Sequence, residues 1–183
     1  MINVPGLERL LKTELKVIMI GNEQAGKTSL LNAVCGEEFT EEYNATIAID
    51  YKIFLFEDRD KFFIWDSSGQ ERFKDIARPF FLGSIVICIV YSIIDRESFN
   101  QVENKLKEAK ESCKPTAVFI LIGTKNDLPD RKVHYDEGQT MADKHDMMFL
   151  ETSAKTDSPH VFASKLGEAA DKYFLLNPKA HRV

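Results

Sequence analysis

Eight consecutive residues, Gly21-Asn22-Glu23-Gln24-Ala25-Gly26-Lys27-Thr28, fit the spacing G-x-x-x-x-G-K-[ST]. Glycines at the two ends allow successive backbone N–H groups to curve around an anion, and a helix beginning there adds the positive end of its dipole. Lys27 is placed to neutralise β- and γ-phosphates. The Thr28 hydroxyl suits Mg²⁺, a hard cation that prefers oxygen. Gln24, Ala25 and Ser29 complete the stretch expected to lie against phosphate, and Glu23 is the one acid inside it.

A second group, Asp66-Ser67-Ser68-Gly69-Gln70, follows a short apolar run. In isolation D-x-x-G is a common turn; beside a phosphate loop it acquires chemistry. Asp66 can hold Mg²⁺ through water. Gly69 lets the backbone approach a terminal phosphate, and Gln70 can orient a water for in-line attack.

Phosphate does not distinguish adenine from guanine, so the base must be read elsewhere. Lys125-Asn126-Asp127-Leu128 offers one carboxylate, Asp127, that accepts from the adjacent N1–H and N2–H₂ donors of guanine; adenine has no such pair. The aliphatic stem of Lys125 can cover the base face. In Thr152-Ser153-Ala154-Lys155, a small residue leaves room for a backbone N–H to meet guanine O6. Each segment taken alone is also consistent with a solvated turn or a hydroxyl-rich helix entry.

Short apolar runs alternate with longer amphipathic stretches, the pattern of a parallel sheet covered by helices. The sequence predicts strands at Lys16 to Ile20, Ile49 to Phe56, Lys61 to Asp66, Ile85 to Tyr91, Ala117 to Gly123 and Met147 to Leu150. Ser29 to Val34 reads as helix. Phe99, Val102, Leu106 and Ala109 share one helical face between Glu97 and Cys113. Phe162, Leu166, Ala169, Ala170, Tyr173 and Phe174 mark a closing helix capped by Ser158 with Pro159 at its first turn and ended by Asn177-Pro178. Leu7, Leu10 and Leu11 are compatible with one or two helical turns. The expected organisation is an N-terminal extension over 1–13, one domain over 14–176, and a short tail over 177–183.

Composition narrows the function. With 24 basic residues against 29 acidic ones the net charge is -5, which supplies no broad basic face for nucleic acid. Cys35, Cys88 and Cys113 lack C-x-x-C spacing and read as reduced thiols of a cytoplasmic protein. No signal-peptide pattern is present, no apolar run approaches the roughly 18 residues of a spanning helix, and Ile2 excludes N-myristoylation.

With four motifs in one order, the chain resembles the Ras-like small GTPases, and among them the Rab branch, over roughly Leu15 to Tyr173. The strongest stretches are Phe63 through Phe73, Gly123 through Leu128 and Glu151 through Lys155. The resemblance implies an α/β fold of the P-loop NTPase type, a three-layer α/β/α domain with a six-stranded, mostly parallel sheet. It implies GTP or GDP as bound nucleotide with Mg²⁺ held by Thr28, Thr46 and Asp66, and GTP hydrolysis served by Gln70, Lys27 and Thr46. Phe39 matches the aromatic that packs on guanine, and Tyr43 the tyrosine that closes over the phosphates. Nucleotide-sensing segments are expected at 37–48 and 66–79, and Tyr51, Trp65 and Phe80 match an aromatic triad that docks effectors. An exchange factor and a GTPase-activating protein are the other implied partners. Work at the cytosolic face of endomembranes is implied as well.

Thr124 stands where Rab proteins usually have asparagine, and Ser67-Ser68 replaces Thr-Ala. Glu23 occupies a position where the family uses a small residue. The alternative this raises is a nucleotide-loaded binding module that hydrolyses little or nothing. No terminal cysteine follows Ala180, so membrane attachment is expected to be indirect or to depend on a prenylated tail missing from this sequence. Gln70→Leu should slow single-turnover hydrolysis while sparing nucleotide affinity; unchanged hydrolysis would remove Gln70 from the mechanism.

Overall fold

The computed structural model describes residues 13–41, 45–47, 49–57, 60–69, 79–178 and 180. Tyr43, Gln70, most of 66–79 and the proposed turns before residue 13 lie outside them. Six strands form one sheet: β1 (Thr13–Gly21), β2 (Ile49–Phe56), β3 (Asp60–Ser67), β4 (Val86–Ser92), β5 (Val118–Thr124) and β6 (Met148–Thr152). Their spatial order is β2-β3-β1-β4-β5-β6; only the β2–β3 pair is antiparallel. Helices α1 (Lys27–Val34), α2 (Arg96–Asn100), α3 (Val102–Ser112), α4 (Tyr135–Lys144) and α5 (Pro159–Leu176) complete the described elements.

Strand sequence follows strand position. β4 and β5 lie inside the sheet with helices on both faces, and every residue of Val86–Ser92 and Val118–Thr124 is buried, which accounts for their unbroken apolar character. β2 is an edge strand, and its side chains alternate: Phe54 and Phe56 turn to the core, while Tyr51, Ile53 and Leu55 remain exposed.

The period-two alternation of β1 divides the core into two layers. Leu15, Val17 and Met19 meet Leu30, Leu31 and Val34 of α1 and Phe162, Leu166 and Ala170 of α5. Ile18 and Ile20 face the opposite way, with Phe99, Val102 and Leu106 of α2 and α3 and Ala142 of α4. Full burial of one such Leu, Ile or Phe side chain contributes about 1.5–3 kcal/mol, so these two layers, rather than surface ion pairs, hold the sheet together.

Boundaries differ from expectation where polarity hides structure. β1 begins three residues before Lys16: Thr13, Glu14 and Leu15 continue the ladder opposite Asp60, Lys61 and Phe62, and the polar pair Glu14–Lys61, 3.1 Å apart, hides that extension from an apolar pattern. The stripe from Glu97 to Cys113 is two helices separated at Gln101; Asp95 caps the first by accepting from the Glu97 N–H at 3.1 Å. Helix α4 was not marked by an apolar stripe, since its buried face consists of Gly138 and Ala142. The closing helix has its expected ends: Ser158 Oγ accepts from the His160 N–H, Pro159 occupies the first turn and Asn177 is the C-cap.

Helices α2 and α4 are joined by Arg96, whose guanidinium donates to Glu137 at 2.6 and 2.9 Å; Glu137 also accepts from the His134 N–H at 2.9 Å. Arg96 and the His134 amide hold the Glu137 carboxyl down to about 2, below its ordinary 4.5. A depressed carboxyl stabilises the fold above its unfolded value, and that contribution disappears as pH falls toward the folded one. Glu137→Gln should therefore flatten the loss of stability between pH 4.5 and about 2 in low-salt urea unfolding, and added salt should shrink the difference because the pair is half-exposed. Identical pH profiles for the two proteins would contradict this.

Candidate functional site

All the motif segments leave the sheet at one edge. β1, β3, β5 and β6 are mutually parallel within the sheet, and their carboxyl ends deliver Gly21, Asp66–Gly69, Thr124–Leu128 and Ser153–Lys155 to a single crevice. Ligands bind at such a position in open α/β sheets. The cleft there has a volume of about 430 Å³, within the range of small-molecule sites. Its walls include Glu23, Gln24, Gly26, Lys27, Thr28 and Ser29, then Phe39, Thr46 and Gly69, and Thr124, Lys125, Asp127, Leu128, Ser153, Ala154 and Lys155.

One end is built for anions. Gly26 precedes α1 in a left-handed conformation, φ 88°, with no side-chain cap, and the first turn of the helix, Lys27, Thr28 and Ser29, lines the cleft. Gly21 enters the loop with φ 153°, and an ideal Cβ there would lie 2.1 Å from Val90 O. Any other residue would push the loop off β4. Lys27 is buried and donates to Gly21 O at 3.0 Å and Asn22 O at 2.8 Å, which fixes its ammonium at the centre of the loop. Burial lowers its pKa to about 8, while Asp66 and Glu23 act in the opposite direction. Glu23 thus acts on the charge of Lys27.

Three oxygens meet beside it. Thr28 Oγ1 donates to Asp66 Oδ2 at 2.5 Å and lies 3.0 Å from Thr46 Oγ1; Thr46 Oγ1 is 3.3 Å from the same carboxylate oxygen. The other oxygen of Asp66, Oδ1, is buried with no hydrogen-bond partner. Burial raises the Asp66 pKa, Thr28 and Lys27 opposing it. A buried carboxylate with a spare oxygen and two neighbouring hydroxyls is a donor set that fits a hard divalent cation. Gly69 then crosses the phosphate loop so closely that an ideal Cβ would lie 2.1 Å from Glu23 N. The absence of a side chain is what permits the approach.

The other end is positioned by ties the sequence did not advertise. Thr124 Oγ1 lies 2.6 Å from Ala25 O and 3.1 Å from Tyr91 O, joining β5 to the phosphate loop, and Lys125 Nζ donates to Gln24 O at 2.8 Å. Both residues of that second bond have positive φ, 59° at Gln24 and 64° at Lys125, so the backbone is strained on both sides of this tie. Arg131 makes two 2.8 Å bonds to Glu151, so the chain after Asp127 is fastened to β6 just before Ser153. Asp157 accepts from the Ser153 N–H and the Thr152 hydroxyl, both at 2.9 Å. Ser153 Oγ accepts from the Lys155 and Thr156 amides at 3.0 and 3.2 Å. Phe39, half-exposed, lies across this end with Lys155 Nζ 5.8 Å from its ring centroid.

On the outer surface Trp65 lies between Tyr51 and Phe80, with centroids 4.9 and 4.8 Å away, and the Lys16 ammonium covers both Trp65 and Phe80. The triad expected from the sequence is therefore one contiguous cluster. Tyr51 is exposed, whereas Trp65 and Phe80 are partly covered.

A model of the Ras family matches residues 16–164. The chain is 41% identical to the GTP-binding protein YPT1 of Saccharomyces cerevisiae, over 80% of this chain and 72% of that protein. It is 38% identical to the Ras-related protein Rab-18-B of Danio rerio, over 79% of this chain and 72% of the relative. With the Ras-related protein Rab-3 of Caenorhabditis elegans it shares 33% identity over 92% and 83%. Sequence order, sheet topology and likeness to these relatives agree, and the chain belongs to the Ras family as a Rab-like small GTPase, an enzyme that binds GTP and hydrolyses it to GDP.

Proposed function

We propose that the cleft holds the nucleotide in one orientation, phosphates against Gly21–Ser29 and guanine between Lys125 and Phe39, and that the segments 37–48 and 66–79 report its state to partners. The observation that carries this reading is the meeting of Lys27, Thr28, Thr46 and Asp66 at one end of a cleft with Asp127 and Ser153–Lys155 at the other. Asp127 accepts from the guanine edge, and Ala154 presents its backbone amide to O6. Lys125 covers one base face through its stem and Leu128 closes that side. Tyr43 is assigned by the resemblance alone to the tyrosine that closes over the phosphates.

Catalysis in this reading is positioning and charge compensation without a covalent enzyme intermediate. Lys27, held by two carbonyls, places its charge between the β- and γ-phosphates. Thr28, Thr46 and Asp66 hold Mg²⁺, which when bound offsets charge on the phosphate oxygens. Gln70 orients the attacking water, and Gly69 contributes its backbone near the γ-phosphate. Loss of that phosphate frees Thr46 and Gly69 and changes the surface offered to effectors. An exchange factor acts on the same segments, and a GTPase-activating protein supplies an arginine finger, since the sequence motifs identify none in cis. Tyr51, Trp65 and Phe80 provide the aromatic part of the effector surface.

The pathway proposed is vesicle trafficking at the cytosolic face of endomembranes, supported by the likeness to Rab proteins. No helix among the described residues is long and apolar enough to cross a membrane. The composition gives no reason to add nucleic acid as a partner.

Thr28→Asn tests the cation-dependent part. With Mg²⁺ present, the variant should lose GTP affinity at least about tenfold more than GDP affinity, a difference of about 1.4 kcal/mol, by competition titration against a fluorescent nucleotide. The gap should close in EDTA. Equal losses for the two nucleotides would contradict the assignment of Thr28.

A further inference from the structure

Glu41 is given no nucleotide contact by the sequence motifs and falls only within the broad 37–48 segment, yet it lines the cleft and reaches across it. Its Oε1 accepts from Lys155 Nζ at 2.9 Å, an ion pair between residues 114 positions apart. Lys155 is the same residue whose ammonium sits over the Phe39 ring. Residues 38–41 form one wall of the base end, and Ser153–Lys155 form the wall opposite. Among its described residues the segment between α1 and β2 is fastened through Glu37 to Lys52 of β2, through Glu41 to Lys155, and through Thr46 to the hydroxyl of Thr28. The outer two anchor it to the sheet edge and the phosphate end. The middle one spans the opening.

We propose that Glu41 is a nucleotide-retention residue: its ion pair with Lys155 holds the 38–41 segment and the Phe39 ring across the base end of the cleft and thereby sets how fast bound guanine nucleotide leaves. The inference rests on the assignment of this cleft to guanine nucleotide. Glu41 acts through Lys155 and Phe39, so it is a positioning residue and not a catalytic one. Both charges are solvent-accessible, with side-chain exposures of 79% for Glu41 and 48% for Lys155, which makes the tie modest and salt-sensitive. Such a pair slows escape by a small factor and leaves the site open to exchange. The Glu41 carboxyl is held below its usual range by Lys155, and the Lys155 ammonium above its own by Glu41, as expected of two groups that remain charged together.

The test is the dissociation rate of N-methylanthraniloyl-GDP from the full chain, chased with excess GDP in Mg²⁺. Glu41→Gln should release the label about two- to fivefold faster at low salt, with an unchanged thermal midpoint, and the difference should vanish near about 1 M salt. Glu41→Lys combined with Lys155→Glu should release it more slowly than either single substitution, the signature of direct coupling. Equal rates for Glu41→Gln and wild type at low salt, an acceleration that high salt leaves intact, or a double variant no slower than both singles would each overturn the proposal. A folded protein that takes up no labelled GDP would overturn the assignment of the cleft itself, an outcome separable from normal uptake without dependence on Glu41.

Discussion

Two opposite charges buried side by side at the mouth of the sheet govern this structure. The Lys27 ammonium and the Asp66 carboxylate are both nearly inaccessible to water, and burial works against the charged form of each. Lys27 finds two carbonyls; Asp66 finds two hydroxyls at one oxygen and no partner at the other. A fold keeps such a costly arrangement in place only through surroundings that leave it little freedom. Those surroundings are the parallel strands. In the β1–β3 register Met19 stands beside Asp66, so the strand that launches the phosphate loop also places the carboxylate.

The same logic extends along the edge. Backbone amides alone cannot hold a loop and four strand ends in one geometry. Here side chains tie the strand ends together, Ser67 to Met19 O at 2.8 Å, Thr124 to Ala25 O and Arg131 to Glu151, while Asp157 braces the loop after β6 at Ser153. The two core layers give the sheet rigidity, and these polar ties translate that rigidity into the positions of the cleft residues. Charge on Glu23 enters this network by acting on Lys27, which makes the phosphate end more acidic than its lysine alone suggests.

Much of this was legible from residue types. The eight-residue phosphate motif and the order of the following motifs pointed to one cleft, and continuous apolar runs marked β4 and β5 because both of their faces are covered. What escaped was structure made from polar or small residues. β1 extends outward through the Glu14–Lys61 pair, and α4 packs through Gly138 and Ala142, neither of which produces a hydrophobic stripe. The sequence motifs assign no role to the side chains of Arg131, Glu151, Asp157 and Glu41; for Arg131, Glu151 and Glu41 the partners lie distant along the chain. Thr124 looked like a departure from a family pattern; its hydroxyl reaches the phosphate loop directly.

The most direct measurement is the identity and amount of nucleotide released when the purified protein is denatured, with uptake by the stripped, refolded chain as its complement. Convergence of Lys27, Thr28, Asp66 and Asp127 on one ligand predicts guanine nucleotide at about one per chain, restored on addition of GDP and magnesium. Adenine nucleotide in its place, or a folded protein that neither carries nor takes up guanine nucleotide, would contradict the account.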